Sequence, residues 1–159
     1  MSIALSPLTM AVSRTQSCQA PARANKAPLK RLPKHLRVLL VEDDDADSYL
    51  IRRALGEIPR VAEIRVARDG VEALELIENW TAGPDLAIVD LKMPRKDGFT
   101  LLREFAARKS ANFPSVVLTS SRSGADIYRA KKRGAAEFVT KPNDLLKLRS
   151  ALDDVIAKL

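Results

Sequence analysis

Residues 37–47 read RVLLVEDDDAD, an apolar strand-like run that breaks into five acidic residues within six positions, Glu42 to Asp47. Like charges crowded this tightly repel, so the fold has to compensate for them. The acids could be calcium ligands, the charged start of a helix, or half of a site completed elsewhere in the chain. An EF-hand calcium loop needs D-x-[DN]-x-[DN]-G and an acid at its twelfth position. Asp43, Asp45 and Asp47 satisfy the first part, but Ser48 stands where glycine is required and Ala54 falls at the twelfth position. Calcium is excluded. Asp45 and Asp47 suit a helix start, where acids cap free N–H groups and favour the positive end of the dipole. Asp44 fits either role. Glu42 and Asp43 sit at a strand end and have no cap to make.

The same alternation of apolar run and helical period continues along the chain. Strand-like segments fall at 37–41 (RVLLV), 63–67 (EIRVA), 86–90 (LAIVD), 115–119 (SVVLT) and 137–141 (EFVTK), most of them rich in valine or isoleucine. Between them apolar residues recur at helical spacing: Leu50, Ile51, Ala54, Leu55 and Ile58, then Val71, Ala73, Leu74 and Ile77, then Leu101, Leu102, Phe105 and Ala106. A fourth helix is expected over about 125–133, stopped by Gly134, and a fifth carries Leu145, Leu148, Leu152, Val155 and Leu159. Five βα units in succession imply parallel strands with right-handed crossovers. Continuously apolar strands agree, since a parallel sheet is covered on both faces. The fold expected is α/β, a five-stranded parallel, doubly wound sheet of the flavodoxin-like kind.

The polar residues then fall into a pattern. Glu42 and Asp43 end the first strand, Asp90 the third, Thr119 the fourth and Lys141 the fifth. All sit at carboxyl ends, the edge where open α/β sheets bind ligands. Three carboxylates gathered there are costly, because two unit charges about 4 Å apart interact by about 4 kcal/mol at an effective dielectric of about 20. A hard divalent cation such as Mg²⁺ removes that cost and can bridge carboxylate to phosphoryl oxygens. Lys141 adds a positive charge and Thr119 a hydroxyl. One carboxylate could then act as a nucleophile and form an acyl phosphate.

Composition bounds the alternatives. The chain has 159 residues, 46% of them apolar, enough for one domain with a real core. Its longest charge-free run, the first 13 residues, is too short to span a bilayer and is broken by Pro7. A single Cys18 forms no internal disulfide and fits a reducing, cytoplasmic setting, while the lone His35 argues against a histidine-rich metal site or a Ser-His-Asp triad. Of the net charge of +7, residues 1–35 supply +6 and contain no acid, leaving +1 for residues 36–159. Residues 1–35 hold four of the nine prolines and show no apolar period, so they read as a disordered basic tail. Nucleic acid or an anionic membrane, an organelle address, and a start of translation at Met10 are the readings that compete with an inert tail.

With these residues in hand, 36–159 resembles the receiver domain of two-component response regulators. The motifs LLVEDD, LAIVDLKMPRKDG, VVLTSS and FVTKP follow in that family's order and spacing. The resemblance implies a stand-alone response regulator whose Asp90 accepts a phosphoryl group from a sensor histidine kinase or a histidine phosphotransfer protein. It implies Mg²⁺ or Mn²⁺ held by Glu42, Asp43, Asp90 and the backbone carbonyl of Lys92. Thr119 and Lys141 would contact the phosphoryl group, Thr119 and Phe138 would form the switch, and Ser121 would tune phosphoryl lifetime. It further implies a cis bond between Lys141 and Pro142. Arg95 and Lys96 read as solvated. Arg129, Lys131, Lys132 and Arg133 suit the negative end of the fourth helix, with an output or dimer surface as the competing reading.

Since the sequence ends with the last helix, signalling is expected through protein contact, to a downstream protein or a second copy, with catalysis limited to the chain's own phosphorylation and dephosphorylation. An aspartate-nucleophile phosphohydrolase of the haloacid dehalogenase type would need an acid two residues after the nucleophile, where Lys92 stands. Nucleic-acid binding through the tail finds no helix-turn-helix and few aromatics, 4% of the chain, for base stacking.

Overall fold

The computed structural model describes residues 32–108 and 111–159. The tail reading, up to residue 31, and Cys18 lie outside the described residues. The elements run β1 (Leu36–Val41), α1 (Asp45–Gly56), β2 (Val61–Ala67), α2 (Gly70–Asn79), β3 (Leu86–Val89), α3 (Gly98–Ala107), β4 (Ser115–Thr119), α4 (Gly124–Lys132), β5 (Glu137–Thr140) and α5 (Leu145–Lys158). All strand pairs are parallel, in the order β2-β1-β3-β4-β5. The expected doubly wound sheet is the one observed.

Strand alternation decides which helices cover which face. Leu36, Val38 and Leu40 of β1 join Ile51, Ala54 and Leu55 of α1 and Leu148, Leu152 and Val155 of α5. Leu39 and Val41 point the other way, into Ala73 and Leu74 of α2 and Leu101 and Phe105 of α3. Val117 of β4 shares that second face with Phe99, Leu102 and Ala130. Leu50 leaves the expected apolar stripe: it is 41% exposed, and Ser48, three residues before Ile51, is buried on the inward face. Packing also reaches back before residue 36, since Leu32 is buried and Arg60 donates to the carbonyls of Leu32 and Pro33.

Aspartates start four of the helices. Asp44, Asp69, Asp97 and Asp144 each accept from amides in the first turn of α1, α2, α3 and α5, a cap worth about 1 kcal/mol apiece. The N-cap of α1 is thus Asp44, with Asp45 and Asp47 inside its first turn. α4 ends as expected, with Gly134 just past it at φ 97, a left-handed conformation that glycine adopts without steric cost. The cations at that end do more than meet the dipole. The guanidinium of Arg129 lies 4.1 Å over the Phe99 ring, and Arg133 donates to the Phe99 carbonyl at 3.1 Å. No peptide bond among the described residues is cis. The expected cis bond at Lys141–Pro142 is therefore corrected: it takes the trans form that X–Pro bonds intrinsically prefer.

Candidate functional site

β1 and β3 are neighbours, yet their connections leave toward opposite sides of the sheet, which opens a crevice at their carboxyl ends. Val41 pairs with Val89, so the residues that follow, Glu42 and Asp90, emerge side by side. The ladder continues one step past each strand, with Asp90 N donating to the Val41 carbonyl at 3.0 Å and Glu42 N to that of Ala67 at 2.9 Å. Both acids are therefore held by the sheet. Glu42 is 3% and Asp90 6% exposed, while Asp43, next along, is open to solvent. The resulting cleft of about 320 Å³ is lined by five carboxylates, two lysines, Thr119 and Ser120.

Lys141 reaches this cleft from β5, whose end is tied to β4 by Lys141 N donating to the Thr119 carbonyl at 2.8 Å. Its Nζ lies 2.7 Å from Glu42 Oε2, 2.7 Å from Asp47 Oδ2 and 3.7 Å from Asp90 Oδ1. One ammonium does not satisfy so many acids. Burial pushes the Glu42 carboxyl up to about 7, the neighbouring Asp90 adds to the rise, and the contacts with Lys141 only partly offset it. For Lys141 the balance runs the other way. Burial favours the neutral amine, but the carboxylates of Asp47, Glu42 and Asp90 together hold it above the ordinary lysine value.

One oxygen each from Glu42, Asp43 and Asp90 lie within 4.8 Å of one another. Ligand oxygens on opposite sides of Mg²⁺ stand about 4.2 Å apart, twice its usual bond length. Modest side-chain movement closes the three on a common ion, and an all-carboxylate donor set is what a hard cation requires. The residues present fit a divalent metal.

Asp90 is held by Lys92, whose backbone N–H donates to Oδ2 at 3.0 Å. Gly98 follows directly behind: a Cβ there would come within 2.1 Å of the Asp90 carbonyl oxygen, so any side chain would displace the loop. Thr119 is buried at the end of β4, its Oγ1 accepting from Ser121 N at 3.4 Å. Phe138 pairs with Val117 on the neighbouring strand and packs on the same face as α4, the face that Thr119 shares by alternation. Ser121 donates instead to Asp126 in the first turn of α4, at 2.6 Å.

Several residues here were hidden from the sequence reading. Asp47 reads as a helix-start acid, yet its side chain is a partner of Lys141, which its local spacing does not announce. Arg95 and Lys96 are not simply solvated. Lys96 Nζ bonds Glu104 at 2.6 Å, and Arg95, in a left-handed conformation at φ 57 that costs a non-glycine residue about 1 kcal/mol, pairs with the buried Asp69. Burial raises the Asp69 carboxyl, but the amides of Glu72 and Val71 and the Arg95 guanidinium outweigh it and hold the group below the usual carboxylate value.

Known proteins are similar to this chain in sequence and fold. The response regulator receiver domain family matches over residues 38–153. The protein-glutamate methylesterase/protein-glutamine glutaminase of Symbiobacterium thermophilum is 35% identical over 133 residues, covering 81% of this chain. The match covers 36% of that relative, so the chain spans about a third of its length. Among solved structures, the phosphorylated cyanobacterial phytochrome response regulator RcpA has a TM-score of 0.70 at 31% identity, covering 76% of this chain and 91% of that one. The Mn²⁺-bound form of response regulator Rcp1 has a TM-score of 0.67 at 28% identity, with 76% and 91% covered. Because the family match takes in nearly the whole sheet together with every residue lining the cleft, the chain belongs to the response regulator receiver domain family.

Proposed function

We propose that Asp90 is the phosphoryl acceptor and that Glu42, Asp43, Asp90 and the backbone carbonyl of Lys92 hold Mg²⁺ or Mn²⁺ beside it. The observation that carries this reading is the convergence of three carboxylate oxygens within 4.8 Å, beside an ammonium. A bound divalent cation would neutralise the carboxylates and draw charge from the phosphoryl oxygens. Oδ2 of Asp90 is engaged by the Lys92 amide, and Oδ1 is the attacking oxygen. It forms the new O–P bond as the P–N bond of a phosphohistidine breaks, and the released imidazole nitrogen takes up a proton. Lys141 gives up Glu42 and moves its ammonium to a phosphoryl oxygen, while the Thr119 hydroxyl donates to another. Thr119 turning inward then lets Phe138 follow, which changes the surface around α4 and β5.

The donor is a sensor histidine kinase or a histidine phosphotransfer protein, and the output is contact with a downstream protein or with a second copy of the chain. Residues 36–159 form the receiver and residues 1–35 a basic appendage. The setting is cytoplasmic, in keeping with the single Cys18; among the described residues no helix is long and apolar enough to cross a membrane. Catalysis is confined to the chain's own phosphorylation and dephosphorylation. The test is intact mass after incubation with acetyl phosphate. Wild type should gain one phosphoryl group only with Mg²⁺ present, and Asp90→Asn should gain none while keeping its fold. Labelling of an aspartate in Asp90→Asn would refute the acceptor assignment, and labelling indifferent to chelation would refute the metal.

A further inference from the structure

The loop from Asp90 to Gly98 carries the Lys92 carbonyl, and its middle is fastened to a different part of the fold. Asp69, 1% exposed, divides its carboxylate between two tasks. Oδ1 accepts from Val71 N at 2.7 Å and Glu72 N at 3.1 Å, which caps α2. Oδ2 has no part in the cap and meets the guanidinium of Arg95 from the β3–α3 loop. A buried carboxylate oxygen needs a partner, and here it takes one from a residue that is itself 62% exposed. Arg95 is the one non-glycine residue at positive φ among the described residues. Glycine would hold that conformation without strain, so the arginine side chain is present despite the backbone it occupies. A second fastening lies beside the first. Gly70 N donates to the Lys96 carbonyl at 3.3 Å, and the Lys96 stem covers Gly70 so closely that a Cβ there would come within 2.8 Å of it.

We propose that the Asp69–Arg95 pair is a positioning clamp for the metal site: it fixes the β3–α3 loop against the start of α2 and so sets where the Lys92 carbonyl stands relative to Asp90. This rests on the metal reading above. Both residues act through the loop and neither touches the ion. Charge alone makes the opposite forecast, because deleting a cation near an anionic cup strengthens its hold on a divalent metal. The sign of the effect therefore separates a clamp from a mere charge.

The test uses the full chain as wild type, Arg95→Gly, Arg95→Ala and Arg95→Lys. Mn²⁺ titration gives the dissociation constant, and amide hydrogen exchange of residues 91–98 is read without metal. Arg95→Gly leaves the Asp69 cap in place and relieves the left-handed backbone, so its fold is expected to hold. The clamp predicts affinity weakened about tenfold in Arg95→Gly and Arg95→Ala, the loss common when a group supporting a metal ligand is removed. It also predicts faster exchange across 91–98 in both, and partial recovery of each in Arg95→Lys. Equal or tighter Mn²⁺ binding by Arg95→Gly overturns it. A wild type that binds no Mn²⁺ overturns the metal reading instead. The clamp is then decided by exchange alone, and unchanged exchange in Arg95→Gly sinks it.

Discussion

At the amino edge of the sheet Asp85, just before β3, accepts from the backbone N of Arg37 at 2.9 Å and from its guanidinium through two further bonds at 2.9 and 2.8 Å. A few residues along the same two strands, at the carboxyl edge, five carboxylates share a cleft with two lysines. The first edge is matched charge for charge, and Arg37 holds the Asp85 carboxyl below its ordinary value. At the second, burial outweighs the Lys141 ammonium and lifts the Glu42 carboxyl to about 7. One sheet thus closes its charges at one edge and leaves them unbalanced at the other, where the proposed ion and phosphoryl group would be received. Every buried side-chain polar atom among the described residues has a hydrogen-bond partner. The imbalance is one of charge, not of missing hydrogen bonds.

The sharpest way to break this comparison is Gly98→Ala. Its Cβ would fall 2.1 Å from the Asp90 carbonyl oxygen, so the loop behind Asp90 must shift. Denaturant unfolding should show a loss of about 3 kcal/mol, with loss of any stabilisation by Mg²⁺. Next comes the pH dependence in the presence of chelator. The folded pKa of Glu42 lies above its unfolded value, so the native state binds the extra proton and stability is full below about 4.5 and declines as pH rises through 7. Between pH 5 and 8 wild type should lose about 2 kcal/mol, and Glu42→Gln should lack that decline. Asp69 and Asp85 are depressed, so their contributions fail only in acid, and the raised Lys141 fails only in alkali; none enters this window.

The smallest effect belongs to the balanced edge. Asp85→Asn should cost about 1 kcal/mol at neutral pH, in keeping with a partly exposed but bidentate pair. Because the folded pKa of Asp85 is lowered, that contribution is present above its unfolded value and disappears as pH falls through the folded one. Wild type and variant should therefore begin to converge only as pH falls below about 4, the unfolded value. Equal stability at pH 7 would mean that the matched edge is no better off than the unmatched one.

The strands were legible because valine- and isoleucine-rich runs have few alternatives, and the carboxyl-end rule then gathered Glu42, Asp43, Asp90, Thr119 and Lys141 before any contact was known. What stayed hidden involves residues whose local role is complete without the distant one. Asp47 is a satisfactory first-turn acid whether or not Lys141 lies 2.7 Å away. Asp69 is a satisfactory cap with one oxygen, and no period or spacing reveals what the other does. Arg95 and Lys96 sit in a charged loop, where solvent is the ordinary partner, and only tertiary placement brings Asp69 and Glu104 to them. Leu50 failed for the opposite reason: helical spacing assigned it to the core, whereas the orientation of α1 keeps Ile51 inward and brings Ser48 in with it instead.

The most direct measurement is the unfolding free energy of the wild-type chain at pH 5 and pH 8, each with chelator and with saturating Mg²⁺. An unbalanced carboxylate cup predicts stabilisation by Mg²⁺ at both, and distinctly more at pH 8, where Glu42 no longer keeps a proton that the metal must displace. Stabilisation that is absent, or equal at the two pH values, would contradict it.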